Sequence, residues 1–304
     1  MEKTPATSLR VSIIISTRDR AAAMGELLAS IKNLHRLAEL RPEIIVANNN
    51  SQDNTLAVVE RAISELPTDV KVVNTTRPGK SAAINDALKL ATGDYLAFLD
   101  DDVVVDHQWL ATIQQFIDTG AYQVGQGRIG LREPEANDPA VRVLVEKFRT
   151  IPQLQFNSGI TEVHSLNGAN FVIARDLLCK MGGFDERLGP GVSGTSEDVD
   201  LARRLGRSGV RIRYVPGSVV YHRIDPERLN ETYFEYIHRR QGQSRLLIKD
   251  RSYGAIFFDG AKACIQYGWY SVVKNQRRRY RSKGRIFHYL GMLEFKRAIG
   301  KSRF

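Results

Sequence analysis

The sequence predicts an α/β fold: a mixed, mainly parallel sheet flanked by helices, followed by a basic helical C-terminal extension. Two observations carry this. Through the first hundred residues, short β-branched runs alternate with stretches of helical spacing, the pattern of βαβ units. The net charge of +10 is also unevenly spread: residues 226–304 hold 18 Lys/Arg against 6 Asp/Glu, and residues 1–225 hold 26 against 28. A slightly acidic body, 1–225, is thus expected to carry a basic extension, 226–304. A protein that grips nucleic acid over its whole surface should carry basic residues throughout its fold, so that class is disfavoured and no nucleic-acid partner is expected.

Strands are predicted over residues 11–16, 44–47, 70–74 and 95–99, each mainly apolar, as suits a sheet covered on both faces. Helices lie between them. Met24, Leu27, Leu28, Ile31 and Leu34 recur at three- and four-residue steps, as do Leu56, Val59, Ile63 and Leu66, and then Ala83, Ala87, Leu88 and Ala91. Further on, helices are predicted over 109–117, 141–148 and 197–207, and strands over 123–129, 169–174, 212–215 and 219–222. From residue 230 the pattern is helical and basic.

Ligands of an open α/β sheet sit beyond the carboxyl ends of its strands. Here all four early strands end in polar residues: Ser16 to Arg20, Asn48 to Thr55, Arg77 to Ser81, and Asp100-Asp101-Asp102. One such end suits a helix cap, and Asp53 or Thr55 alone reads that way. Four together predict one polar site. Three adjacent carboxylates repel one another, and a divalent cation with hard oxygen ligands, Mg²⁺ or Mn²⁺, offsets that best; an exposed acidic turn is the plainer reading. Gly79-Lys80-Ser81 is not a Walker A loop, because Asn74 stands where that loop needs glycine. Lys80 still stands at a helix start, where a phosphate is favoured. Glu197 and Asp198 open a predicted helix after the glycine-rich stretch 189–194. A first helical turn favours acids in any case, but a carboxylate there also suits a general base. His222 ends the last predicted strand.

Taken in order, these segments resemble family 2 glycosyltransferases of the GT-A fold, with its Rossmann-like nucleotide-sugar-binding sheet. The resemblance rests on the Ser16–Arg20 strand end, residues 46–55, Gly79-Lys80-Ser81-Ala82-Ala83-Ile84-Asn85, Ala91 to Tyr95 running into Phe98-Leu99-Asp100-Asp101-Asp102, Gly182-Gly183-Phe184-Asp185-Glu186-Arg187-Leu188 and Glu197 to Leu201. It covers roughly residues 10–222, about 70% of the chain. It implies that residues 1–225 form the catalytic domain and that the chain moves a sugar from a UDP-, GDP- or dTDP-linked donor to a glycan, lipid-linked or other hydroxyl acceptor. Thr17, Arg18, Asn48, Asn50, Asp53, Lys80 and Asn85 would meet the nucleotide sugar, with Asp100 and Asp101, the latter near the ribose. Asp102 would bind Mn²⁺ or Mg²⁺ in an Asp-x-Asp signature, assisted by Asp100, and His222 would complete the metal or diphosphate site. Asp198 would be the catalytic base with Glu197 its neighbour, giving single displacement with inversion. Asn48 departs from a frequent aspartate, and Ile84 stands where many relatives have arginine, so that Arg77 or Lys80 would supply the charge.

Two other classes stay open at this stage. A sugar nucleotidyltransferase would want a glycine-rich basic loop after the first strand, yet the first glycine there is Gly25. A non-catalytic protein binding anionic ligands would rely on the extension. That extension packs six basic residues into positions 277–285, after an aromatic stretch with Phe257, Phe258, Ile265, Tyr267, Trp269 and Tyr270. Such a combination predicts contact with an anionic membrane surface, with acceptor or lipid-phosphate binding and a solvated helical face as alternatives. The apolar window 254–273 is interrupted by Asp259 and Lys262, so no membrane span is expected. The first ten residues lack the apolar core of a signal peptide, and two isolated cysteines fit a reducing compartment. The expected location is cytoplasmic, peripheral to the inner face of a membrane.

Overall fold

Strand β1 (Val11–Thr17) pairs in parallel with β2 (Glu43–Asn48) on one side and β4 (Tyr95–Asp100) on the other, and β2 pairs with β3 (Val70–Asn74). The computed structural model describes residues 9–301, so the reading of the first residues as lacking a signal peptide lies largely outside the described residues. Helices α1 (Ala21–Lys32), α2 (Leu37–Leu40), α3 (Thr55–Ile63) and α4 (Lys80–Leu88) fill the crossovers. In register, Ser16 faces Asp100, Thr17 faces Asn48 and Asn48 faces Asn74. The four polar strand ends therefore lie along one edge of the sheet.

The sheet then turns mixed. After β5 (Val103–Val105) and α5 (Trp109–Asp118) come β6 (Val124–Leu131), α6 (Pro139–Phe148), β7 (Glu162–Val163), β8 (Asn170–Ala174), α7 (Arg175–Lys180), α8 (Glu197–Arg207) and β9 (Ile212–His222). Strand order is β3-β2-β1-β4-β8-β6-β9-β5, with β7 also on β9. Strand β8 is antiparallel to β4 and β6, while β6 and β9 run parallel. Side chains alternate between two apolar layers. Ile13, Ile15, Val46, Ala97 and Leu99 pack with Met24, Leu27 and Trp109 on one face. Ile14, Ile45, Leu96 and Phe98 pack with Ala83, Ile84, Phe171, Phe184 and Leu201 on the other. Burial on both faces is why these strands read as unbroken apolar runs.

Two sequence expectations change here. The strands predicted over 212–215 and 219–222 are one strand, β9, whose register shifts opposite Gly127 and Arg128 so that Pro216-Gly217-Ser218 bulges out. Proline carries no N–H for the ladder, so a break was the natural reading, but a bulge accommodates it. Strands β5 and β7 were not predicted, being three and two residues long.

The chain divides into two compact units. The first runs to Leu131 and adds Gln153–Asp185 and Glu197–Arg223; the second takes Arg132–Pro152, Glu186–Ser196 and the chain from Ile224. In the second unit, α9 (Glu231–Ile248), α10 (Tyr253–Val272) and α11 (Gln276–Lys301) follow one another. Phe148 of α6 packs against Phe234 and Tyr280 of α9 and α11, with ring centroids 6.1 and 5.8 Å away. Gly242 and Gly291 let α9 and α11 approach closely: an added Cβ would lie 2.0 Å from the His288 carbonyl oxygen or 2.1 Å from that of Arg239. The stretch 189–194 also belongs to this unit and is fastened to α9. Arg240 donates to the Val192 carbonyl, and Ser244 Oγ lies 2.9 Å from Ser193 Oγ. Among the described residues no helix is long and apolar enough to cross a membrane. Cys179 and Cys264 are free and exposed.

Candidate functional site

The site grows from the edge where β1, β2 and β4 end. Lys80, the first residue of α4, is directed across that edge. Its Nζ lies 2.5 Å from Asp100 Oδ1 and 3.4 Å from Glu197 Oε1. Burial alone would lower the lysine, but Asp100 and then Glu197 outweigh it and hold the ammonium well above its ordinary value. Gly168 makes room for this arrangement, since a Cβ there would stand 3.0 Å from Lys80 Nζ.

Glu197 and Asp198 begin α8, whose N-terminal dipole favours negative charge. Ser196 just before them has φ 79°, an uncommon conformation for a residue with a side chain. Asp198 Oδ2 accepts from the Gly168 N–H at 3.1 Å, and Oδ1 accepts from the Val199 N–H at 2.7 Å. Burial and then the Glu197 charge push the Asp198 carboxyl above the usual carboxylate range, against the opposing charge of Lys80. A carboxyl held in this way is suited to take a proton near neutral pH. Asp101 behaves similarly: burial, with Asp102 adding to it, raises it to about 7, while the neighbouring Thr17 hydroxyl acts in the other direction.

Asp102 and His222 come together through the antiparallel pairing of β5 with β9, which sets Val103 opposite His222. His222 Nε2 lies 3.3 Å from Asp102 Oδ1, and the imidazole is 2% exposed. His222 Nδ1 donates to the Arg223 carbonyl at 2.8 Å, leaving Nε2 turned toward the carboxylate. A carboxylate oxygen and an imidazole nitrogen facing each other fit a divalent cation of the Mn²⁺ or Mg²⁺ kind. Among the described residues no group of three or more His, Cys, Asp or Glu side chains is assembled to hold a metal alone.

The remaining candidates are placed differently. Asn48 is buried; it donates to Asn74 Oδ1 at 2.8 Å and accepts from the Ser51 hydroxyl at 2.6 Å. Arg18 is half exposed beside Asp19. Asn50 is exposed with φ 57°, turning the loop. Asp53 is spent on local structure, accepting from the Thr55 N–H at 2.9 Å and the Ala21 N–H at 3.1 Å. Asn85 holds the backbone of Phe184 at both ends, donating to its carbonyl at 2.8 Å and accepting from its N–H at 3.0 Å. The structure thus brings Lys80, Asp100, Glu197 and Asp198 into one cluster and Asp102 and His222 into a pair, while Arg18 lies beside Asp19 and Asp53 and Asn85 bond to backbone elsewhere.

Two residues that shape the edge were not singled out from the sequence. Buried Asn49 accepts from the Gly79 N–H at 3.1 Å and donates to the Arg77 carbonyl at 2.7 Å, fixing the loop that presents Lys80. Its signal was the Asn48-Asn49-Asn50 run, whose first two members are both buried and both donate and accept. Asn170 accepts from Trp109 Nε1 at 2.9 Å and donates to the Ser218 carbonyl at 2.8 Å, tying β8 to the bulge of β9.

Residues 12–182 match the model of Glycosyl transferase family 2. The chain is 26% identical over 232 residues to the probable glycosyltransferase YdaM of Bacillus subtilis, covering 72% of this chain and only 51% of that protein. It is 27% identical over 257 residues to the succinoglycan biosynthesis protein ExoM of Rhizobium meliloti, covering 82% of this chain and 79% of that one. Among solved structures, the mannosyltransferase PcManGT of Pyrobaculum calidifontis, in complex with GDP-Man and Mn²⁺, superposes with a TM-score of 0.56 at 19% identity, over 97% of this chain and 76% of that one.

Proposed function

Because the chain belongs to glycosyl transferase family 2, as a glycosyltransferase of the GT-A fold, we propose that it is a cation-dependent, inverting enzyme. It moves a sugar from a nucleotide-diphosphate donor to a hydroxyl of a glycan or lipid-linked acceptor. The observation that carries this reading is Asp198, a buried carboxyl raised above its usual range at the N-terminus of α8, in one cluster with Lys80, Asp100 and Glu197. Donors of this kind are also found with a neighbour of the same fold, in the GDP-Man complex of PcManGT.

In this reading Asp198 removes the acceptor proton as the hydroxyl oxygen attacks the anomeric carbon. The bond from that carbon to the diphosphate breaks on the opposite face, and its electrons leave with the nucleoside diphosphate. The carboxylate must be ionised beforehand; Lys80 and the two backbone N–H groups favour that form, and burial keeps it basic enough to accept the proton. Asp102 and His222 would hold Mn²⁺ or Mg²⁺, which when bound would neutralise charge on the departing diphosphate. Thr17 and Asn48, buried at the ends of β1 and β2, would meet the base and ribose of the donor.

The test is Asp198→Asn. Nucleotide-sugar binding, followed by calorimetry with Mn²⁺ present, should stay within about threefold, while transfer falls by roughly 10²–10⁴-fold. Full transfer by the variant rejects Asp198 as the base. Failure of every UDP-, GDP- and dTDP-sugar to bind the wild type, with either cation, rejects the donor class.

A further inference from the structure

The second unit presents a surface that the transfer reaction does not use. Helix α10 buries Ile256 and Ala263 on one side. At 100° per residue, the opposite side carries Phe257, Phe258, Ala261, Ile265, Trp269 and Val272. Their large side chains are 71%, 71%, 75%, 62% and 76% exposed for Phe257, Phe258, Ile265, Trp269 and Val272. Lys262 is the one charged residue on the exposed side of the helix, at the margin of the apolar face. The three aromatic rings alone leave roughly 400 Å² in water, from typical areas for such side chains. A continuous apolar face of this size marks an interaction surface.

Charge identifies the partner. Between residues 260 and 293 there are eight Lys/Arg and no Asp or Glu. Lys274, Arg277, Arg278 and Arg281 are exposed where α10 gives way to α11. The Arg278 guanidinium lies 5.6 Å from the Tyr270 ring, which sets it beside the last turn of α10. A second copy of the chain would bring this same uncompensated positive charge to the contact. An anionic lipid surface offers hydrocarbon and negative charge together.

We propose that α10 lies in the plane of an anionic bilayer, with Phe257, Phe258, Ile265, Trp269 and Val272 sunk below the headgroups and Lys274, Arg277 and Arg278 at the level of the phosphates. A helix that lies flat with one face immersed needs no spanning length, in keeping with the absence of a crossing helix among the described residues. Tyr267 and Tyr270, aromatic in the same stretch, are half-buried and belong to the helix packing instead.

The experiment uses the full chain and two vesicle compositions, pure phosphatidylcholine and phosphatidylcholine with 30% phosphatidylglycerol, a composition set at about the level at which surface potential matters. The chain has two tryptophans, and Trp109 is wholly buried. A change in tryptophan emission on adding lipid therefore reports Trp269. The wild type should float with the anionic vesicles at least tenfold better than with the neutral ones, and its emission should shift to the blue. Phe257→Ser with Ile265→Ser should abolish flotation, and Arg277→Gln with Arg278→Gln should erase the preference for anionic lipid. Both double variants alter exposed side chains, and unchanged circular dichroism and donor binding would show that they fold. Equal flotation with both vesicles, or no blue shift, overturns the proposal. So does a concentration-dependent dimer that the Phe257/Ile265 variant dissolves, which would assign the face to a second copy.

Discussion

Lys80 stands among Asp100, Glu197 and Asp198, and its removal is expected to cost more than its exposure suggests. Lys80→Met would leave Asp100 and Glu197 without the ammonium between them. A broken buried pair typically costs about 3–5 kcal/mol; with Lys80 and Asp100 partly exposed, the unfolding free energy from urea titration should fall by about 1–3 kcal/mol, and the midpoint with it. An unchanged midpoint would mean that water already reaches the cluster. The raised Asp198 carboxyl gives a pH signature. Its basic form is the active one, so transfer should decline as pH falls through the raised value, and the acid limb should vanish in Asp198→Asn. At this scale the sequence was legible wherever chemistry and position coincide. Asp102 follows a strand, His222 ends one, and Lys80 and Asp198 open helices; the fold brings Lys80 to Asp100 and Glu197, and Asp102 to His222. It was illegible for the asparagines. Nothing in Asn48-Asn49-Asn50 shows that the first two amides are buried and the third exposed, because Asn49 is held by the β3–α4 loop passing above it.

Among the elements, the Gly182-Gly183 turn decides how α4 is held against the segment after α7. Both glycines have positive φ, 81° and 71°, and a Cβ on Gly183 would come within 2.8 Å of Asn85 Oδ1. Gly183→Ala should therefore destabilise the fold by about 2 kcal/mol through the left-handed conformation and the displaced amide. Asn85→Ala, which removes both bonds to Phe184, should do the same by a comparable amount. Thermal unfolding of the two single variants and the double variant checks this, and strictly additive losses would show that the contact is not shared. Elements were readable in proportion to the apolar surface they bury. Strands β1, β2 and β4 and helix α8 lie close to the predicted ranges. Strands β5 and β7 owe their existence to β9, more than a hundred and about fifty residues downstream, and no local pattern announces such pairing.

For the whole molecule, the basic extension has its own acid sensitivity. Burial, and then the positive charge of Arg245 with His238, Arg251 and Arg285 adding to it, depresses His288 to about 4. Burial also lowers His238. A histidine depressed in the folded state takes up its proton more readily when unfolded. Its contribution to stability is therefore complete above pH 6.5 and is lost as pH falls toward 4. The loss reaches at most about 3 kcal/mol for His288, given its partial exposure. Helical signal should fall across that window, and His288→Leu should flatten the dependence. The charge imbalance of this region was plain in the sequence; that two of its histidines are held neutral by packing was not.

The antiparallel seam between β5 and β9 has a consequence for how the protein is made. Asp102 is synthesised well before His222, and the two face each other only once the last strand has slotted into the sheet. A chain still emerging from the ribosome thus carries one half of the pair. On the proposed function, competence to hold a cation at this pair would arrive only once β9 is in place, before α9 to α11 are complete.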